Sequence, residues 1–444
     1  MSKNSLQVFT DYLKSPAELL QDMEKPLENN SSFKAQWINE AVSSFSLRKI
    51  NIPHGKLLTL YRKIVGVIAW GYEQKELDRT TVVRLLTHLI EKGRAKNKVL
   101  FSVNSYDTTL PSILVSGISG SGKTKTIRTA FSYIPQVIFH YDPENGELIH
   151  KQIVWLSFNC SPTMSMFGFA LNFFKAVDGI LDTDYLSQWL KKSNPRVDHC
   201  IISMQKIALI HSIGIIHVDE LQFLIQKNSN KEPASISKVE AIFNEIKVPM
   251  ILSCTAQGVE WLKNNEALLE HQEITLIRRL CSDEHFEFHQ IHSESTFYCQ
   301  FIKHFFENNL LANGVKSPDD FKTLFLELTA GLIAAMTRLA CLYIEAIQVR
   351  KRSDLYDNAE LCRVFKSNFK LWEPALEALR KKRFQDFEAE YIIAKKQSVK
   401  VDKENHKIEP PKVIQSRVQH SSEVKHLQEL NVLAKDVGVN FDEI

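Results

Sequence analysis

The eight residues Gly117-Ile-Ser-Gly-Ser-Gly-Lys-Thr124 fit the pattern G-x-x-x-x-G-K-[ST], a loop that wraps phosphate groups. Its glycines, Gly117, Gly120 and Gly122, let the backbone N–H groups around Ile118, Ser119 and Ser121 turn inward on an anion. Lys123 is expected to reach the β- and γ-phosphates of a nucleotide, and the Thr124 hydroxyl to coordinate Mg²⁺. A short apolar run, Ser112-Ile-Leu-Val-Ser116, reads as a buried strand before the loop. Lys125-Thr-Ile-Arg-Thr-Ala-Phe131 reads as a helix after it. The N-terminus of that helix, with Lys125, adds positive potential at the phosphates. ATP with Mg²⁺ is the expected ligand.

Hydrolysis needs a second set of groups. Gly214-Ile-Ile-His-Val-Asp219-Glu220 is an apolar strand ending in two acids. Asp219 would hold Mg²⁺ through its water shell, and Glu220 would polarise the attacking water. The next apolar strand, Val248-Pro-Met-Ile-Leu-Ser-Cys-Thr255, ends in polar residues, and Thr255 or Ser253 would sense the γ-phosphate. Asn159, at the end of the strand Ile153–Asn159, would orient Glu220 by a hydrogen bond. Arg278 and Arg279 follow an acidic helical stretch and would point into a neighbouring subunit's nucleotide to stabilise developing charge. Arg338 lies on a later helix and would contact phosphates from that side. Cys281, His285, His289 and His292 do not form a zinc site on this reading, because no second ligand cluster accompanies them. Cys254 reads as packing rather than as a nucleophile. The basic run Arg380-Lys-Lys-Arg383 is either a solvated helix face or a contact for DNA or a partner.

These groups need a scaffold, and its pattern is legible. From about 106 to 292, strand candidates Ile113–Ser116, Ile153–Asn159, Gly214–Asp219, Met250–Thr255 and His285–Ile291 alternate with helical stretches Ser165–Leu181, Cys200–His211 and Ser237–Ile246. Alternation of this kind implies a parallel sheet covered on both faces, with the ligand at the C-terminal strand ends. Residues 293–350 read as a helical lid made of Ser295–Leu311, Ser317–Leu328 and Leu332–Arg350, with Ser317-Pro-Asp-Asp as a helix start: Ser317 as cap, Pro318 at the first helical position and acids in the first turn. A helical lid after such a sheet is the AAA+ pattern. The expected fold is therefore α/β, an AAA+ parallel sheet flanked by helices, with a helical lid and helical N- and C-terminal extensions. The N-terminal extension, residues 1–105, carries helical patterns at Ser5–Met23, Phe33–Phe45, Leu57–Gly71 and Thr80–Lys92. Residues 351–397 continue helically, and 398–444 read as a polar linker with Pro410-Pro411 followed by an interaction tail.

Composition narrows the class. The chain has 444 residues and a net charge of +3, so any basic surface must be local. Seven dispersed cysteines without a C-x-x-C pair fit a reducing cytosol better than a disulfide framework. The polar N-terminus shows no signal-peptide pattern, and no apolar run is long enough for a membrane span.

The stretch from Ser112 to Ala256 resembles the TnsC group of AAA+ regulators of DNA transposition, relatives of the TniB proteins. The likeness rests on the phosphate loop and on the segments Tyr133-Ile-Pro-Gln-Val-Ile-Phe-His140, Leu171-Asn-Phe-Phe-Lys-Ala-Val177 and His217-Val-Asp-Glu-Leu-Gln222. Leu47–Gly71, Trp372-Glu-Pro-Ala-Leu-Glu-Ala-Leu-Arg380 and, weakly, Val437-Gly-Val-Asn-Phe441 extend it beyond the core. The resemblance implies an ATPase that assembles with copies of itself as a ring or helical polymer on double-stranded DNA. It implies coupling of a target-selection protein to transposase subunits, with hydrolysis driving disassembly. Arg278 and Arg279 fall where that group's arginine finger is expected. Two departures stand out: Cys254 precedes Thr255 where the group usually has Gly, and Gly331-Leu-Ile-Ala334 lacks the arginine of the usual lid motif. Two other readings stay open, a different AAA+ DNA-remodelling or initiator-type ATPase and a nucleotide-gated switch with little turnover.

Overall fold

The computed structural model describes residues 5–24, 47, 50–74, 111–142, 144–160, 165–191, 197–225, 246–259, 284–307, 315–350, 355–383 and 387. All lie in one compact unit, Met1–Glu390. The expected helices at Phe33–Phe45 and Thr80–Lys92, most of Ser237–Ile246, the pair Arg278-Arg279 and everything from 398 onward lie outside the described residues.

Five strands form one parallel sheet: β1 (Ser112–Gly117), β4 (Trp155–Asn159), β5 (Ile215–Asp219), β6 (Met250–Thr255) and β7 (Glu284–Phe288), in the order β4-β5-β6-β1-β7. All six residues of β1 are buried, as a strand covered on both faces should be. Their side chains alternate between two cores. Leu114 joins Leu156, Val218 and Leu252 on the face covered by α5 (Met166–Leu181) and α7 (Val197–Ile210). Ile113 and Val115 join Ile215 and Ile251 on the face covered by α4 (Lys123–Ser132) and α3 (Gly55–Gln74). The N-terminal extension is therefore part of the sheet's cover. Phe131 of α4 stacks on the half-buried Trp155 with ring centroids 4.6 Å apart, and burial of the Phe131 ring contributes roughly 2–3 kcal/mol.

Three expectations about local structure are corrected. Ser5–Met23 is two helices, α1 (Ser5–Thr10) and α2 (Pro16–Glu24). Pro16 starts the second, and Ser15 and Glu18 bond reciprocally to each other's backbone N–H as a capping box. Ile153–Asn159 is not one strand. Ile153 ends β3 (Leu148–Ile153), which pairs antiparallel with β2 (Val137–Tyr141) in a separate hairpin. Val154 turns the chain into β4, its N–H bonded to the Gln136 carbonyl outside the sheet. Ser317 does not cap the lid helix α10 (Asp319–Thr329), whose cap position is Pro318. The Ser317 hydroxyl and N–H both turn to Glu307 instead.

The lid is built from α9 (Thr296–Ile302), which continues as a π-helical turn over Lys303–Glu307, then α10 and α11 (Ile333–Val349). The helices α12 (Asn358–Asn368) and α13 (Glu373–Arg380) share its core through Leu361, Phe365, Phe369, Leu376 and Leu379. Arg380 donates to the Glu327 and Leu328 carbonyls at the C-terminal end of α10, so the first residue of the basic run is spent inside the fold. No described helix is long and apolar enough to cross a membrane.

Candidate functional site

The phosphate loop follows β1 directly and opens α4. Gly117, at φ 146°, brings its Cα against β7, and a Cβ there would lie 2.1 Å from the Phe288 carbonyl oxygen. Gly120 and Gly122 also have positive φ, 81° and 95°, which L side chains adopt at a cost. Gly122 caps α4 with no side-chain bond to the first turn, leaving that end of the helix unshielded by a polar side chain. Lys123 Nζ donates back to the Gly117 and Ile118 carbonyls at 2.7 and 2.9 Å.

Beside this loop lies a cavity of about 570 Å³. Ser119, Gly120, Gly122, Lys123, Thr124 and Lys125 line one side, and Glu220 and Thr255 come from the ends of β5 and β6. Of the other candidate residues, Arg338 lines the cavity, whereas Gly117, Ile118, Ser121, Asn159 and Asp219 do not. Asp219 sits just beneath, 4% exposed. Its Oδ2 accepts from Thr124 Oγ1 at 2.8 Å, and its Oδ1 accepts from Ser253 Oγ at 2.6 Å and from the Glu220 N–H at 3.0 Å. Thr124 and Asp219 thus place two hard oxygen donors together, the donor type Mg²⁺ takes. Ser253, one of two candidates for the γ-phosphate sensor, is fully buried and faces Asp219, which leaves Thr255 as the one on the cavity wall.

Glu220 occupies a left-handed backbone conformation, φ 60°, rare for a residue with a side chain and of the kind that clusters at functional sites. The side chain hydrogen-bonded to its carboxylate is Gln222, through Nε2, while Gln222 Oε1 accepts from the Thr255 N–H at 3.3 Å. Asn159 was the sequence-based candidate for this role. It pairs in register with Asp219 and engages Asn172 through its carbonyl. Gln222 was visible in the sequence only as part of Asp-Glu-x-Gln. Its reach to both Glu220 and β6 comes from the turn at 220–221, which periodicity does not reveal. Thr255 Oγ1 accepts from the Gly258 N–H, and a Cβ on Gly258 would lie 3.0 Å from that of Gln222.

Beneath Asp219, His217 is wholly buried, with Nδ1 2.9 Å from Ser157 Oγ and Nε2 2.9 Å from Ser253 Oγ. Burial pushes its pKa down to about 4, against the pull of Asp219, so the ring is neutral. Burial also pushes the Cys160 thiol up to about 12, helped by the charges of Asp219 and Glu220, so it stays protonated.

The opposite wall is apolar. It is made by Ile50, Ile52, Leu57, Phe297, Phe301, Ile333 and Leu342, with His54 and Thr337 among them. The N-terminal segment 50–54 and the aromatic residues of α9 were missed as site residues, since nothing local in the sequence ties them to the loop. His54 Nδ1 accepts from the Leu57 N–H, capping α3, and its ring meets Phe297 edge-to-face at 5.2 Å. The lid touches the loop through the Ala334 N–H, 3.0 Å from the Gly120 carbonyl, and through Ile333 against Gly122. Ala334 stands where the lid arginine is absent. Arg338, one turn on, lays its guanidinium over Phe369 and Trp372 at 5.4 and 5.2 Å. Among the described residues no group of three His, Cys, Asp or Glu is placed to hold a metal; of the segment Cys281–His292, Cys281 lies outside those residues.

Residues 107–262 match the family model of an AAA domain. No curated protein matches the chain. Among solved structures, a Walker-type ATPase of Pyrococcus abyssi is similar at 11% identity, covering 67% of this chain and 75% of that one, with a TM-score of 0.37. The Thermotoga maritima RuvB Holliday junction branch migration motor is similar at 12% identity, covering 66% and 70%, with a TM-score of 0.30. Cdc6p from Pyrobaculum aerophilum is similar at 12% identity, covering 55% and 57%, with a TM-score of 0.33. At these scores they add nothing to the fold assignment, which rests on the sheet and on the family match. Four of the five strands of the parallel sheet lie within the matched residues 107–262, and the phosphate loop stands at the end of the fourth strand in spatial order.

Proposed function

We propose that the chain is an ATPase that binds Mg–ATP in this cavity and regulates DNA transposition by assembling on duplex DNA. The observation that carries the ATPase reading is the convergence of Lys123, Thr124, Glu220 and Thr255 on one cavity, with Asp219 bonded to Thr124 beneath it. Mg²⁺, when bound, would neutralise charge on the β- and γ-phosphates. Lys123 would exchange its two loop carbonyls for phosphate oxygens. The apolar wall of Ile52, Phe297 and Phe301 suits the flat face of a nucleobase. Glu220 would accept a proton from the attacking water, with Gln222 setting its orientation, and Thr255 would contact the γ-phosphate. Arg278 and Arg279 would act on a neighbouring subunit's nucleotide, and Arg338 would reach the phosphates only by leaving its aromatic rings.

The transposition role rests on the resemblance of the segments flanking the loop and of His217–Gln222 to the TnsC group. On this reading the partners are double-stranded DNA, further copies of the chain, transposase subunits and a target-selection protein. The test is imaging of the purified protein with duplex DNA and a slowly hydrolysed ATP analogue, beside an ADP control. Rings or filaments on DNA with the analogue alone are expected; their absence in both states sinks the regulator reading. A second reading, a nucleotide-gated switch with little turnover, is favoured by Ala334 in place of a lid arginine and by the stacked Arg338. Comparing hydrolysis by wild type and Glu220→Gln, with and without DNA, separates the two.

A further inference from the structure

We propose that Ser253 and His217 are positioning residues for the Asp219 carboxylate, holding it through a hydrogen-bonded chain so that Oδ2 stays turned toward Thr124. The proposal rests on the reading that Asp219 and Thr124 hold Mg²⁺.

The argument is a count of protons. A carboxylate only accepts, so the single hydroxyl proton of Ser253 goes to Asp219 Oδ1, at 2.6 Å. His217 Nε2 lies 2.9 Å from the same Ser253 oxygen, which has no proton left to give, so Nε2 must be the donor. Ser157 Oγ engages the other ring nitrogen at 2.9 Å, and the Phe131 ring lies 6.0 Å away, so the imidazole is held on several sides. The chain crosses three neighbouring strands, β4, β5 and β6, on the face that α4 covers. Asp219 Oδ1 receives two donors, from Ser253 and the Glu220 N–H, which leaves Oδ2 for Thr124. Flanking positions on the same face of the two strands are apolar, Ile215 and Ile251. Two polar side chains with no exposure are costly to bury without partners, and the partner they lead to is the metal-binding carboxylate. Groups that orient a metal's ligands commonly control its affinity.

The experiment measures the affinity of a fluorescent non-hydrolysable ATP analogue with Mg²⁺ and with EDTA, for wild type, Ser253→Ala, His217→Leu and His217→Gln, beside their melting temperatures. The ratio of the two affinities isolates the metal's contribution from general destabilisation. Ser253→Ala and His217→Leu should each shrink that ratio about tenfold while affinity in EDTA stays at the wild-type value. His217→Gln, whose amide nitrogen can replace the Nε2 donor, should keep most of it. Unchanged ratios in Ser253→Ala and His217→Leu, with only lowered melting temperatures, would overturn the proposal. Should His217→Leu fail to fold, Ser253→Ala, which removes a single oxygen, decides alone. A wild type whose affinity ignores Mg²⁺ would instead overturn the metal reading itself, and this is seen before any substitution is made.

Discussion

At the floor of the cavity Asp219 takes hydrogen bonds from Thr124, Ser253 and the Glu220 backbone, and Glu220 is tied through Gln222 to β6. At its roof Ile333 and Ala334 meet Gly122 and Gly120 with one backbone hydrogen bond, and the only charged lid side chain among the described lining residues, Arg338, is occupied by aromatic rings. The floor is directional and buried, so its geometry is set by which atom donates to which. The roof is set by shape, and it gives way by repacking. The two should therefore fail differently: floor substitutions should change hydrolysis or the Mg²⁺-dependent part of binding, and roof substitutions should change stability or metal-independent binding with little specific effect on chemistry.

The sharpest test of the floor is Glu220→Gln. It should keep ATP affinity and slow hydrolysis by about 10²–10⁴-fold, the usual contribution of a positioned base, in a single-turnover assay. A variant that hydrolyses at the wild-type rate breaks the assignment. The loop between floor and roof is tested by Gly117→Ala. Its Cβ would meet the Phe288 carbonyl at 2.1 Å, so a loss of about 2–3 kcal/mol is expected in urea unfolding. The apolar wall has its own titration. His54 titrates at about 4 in the fold against 6.5 unfolded, lowered first by burial and then by Lys56. The unfolded chain therefore binds the extra proton between those values. Stability from this group is complete above about pH 6.5 and falls as the pH drops toward 4. His54→Asn, which can still cap α3, should flatten the slope of stability with pH by one proton, about 1.4 kcal/mol per unit, in melts across that range. The smallest expected effect is that of Arg338→Ala. Loss of the two ring contacts should cost about 1 kcal/mol of stability and change ATP affinity less than about threefold. A large fall in affinity would mean that Arg338 does leave the rings for phosphate and that the roof has a polar arm after all.

The readable part of the site was whatever lay within one segment. Gly117–Thr124 between strand and helix, and the apolar run into Asp219-Glu220, carry their chemistry in consecutive residues. The helical stretches Ser165–Leu181 and Cys200–His211 were similarly plain, and the structure has them as Met166–Leu181 and Val197–Ile210. What escaped depended on register and on turns. Ser157, His217 and Ser253 meet because three strands align, though 60 and 36 residues separate the successive partners. The break at Val154 was hidden by continuous apolar character across two different sheets. The segment 50–54 reaches the cavity only because α3 packs on α4, a contact between amphipathic helices that no single helix announces.

The 17 residues of α11 begin at the phosphate loop and end at Val349, and they share one core with α9, α10, α12 and α13. A helix of that length spans about 25 Å. A tilt of about 10° at Ile333 would sweep its far end by about 4 Å. The common core would carry α12 and α13 along. The contact between Ala334 and Gly120 is thus the short arm of a lever whose long arm is the outer surface of the molecule.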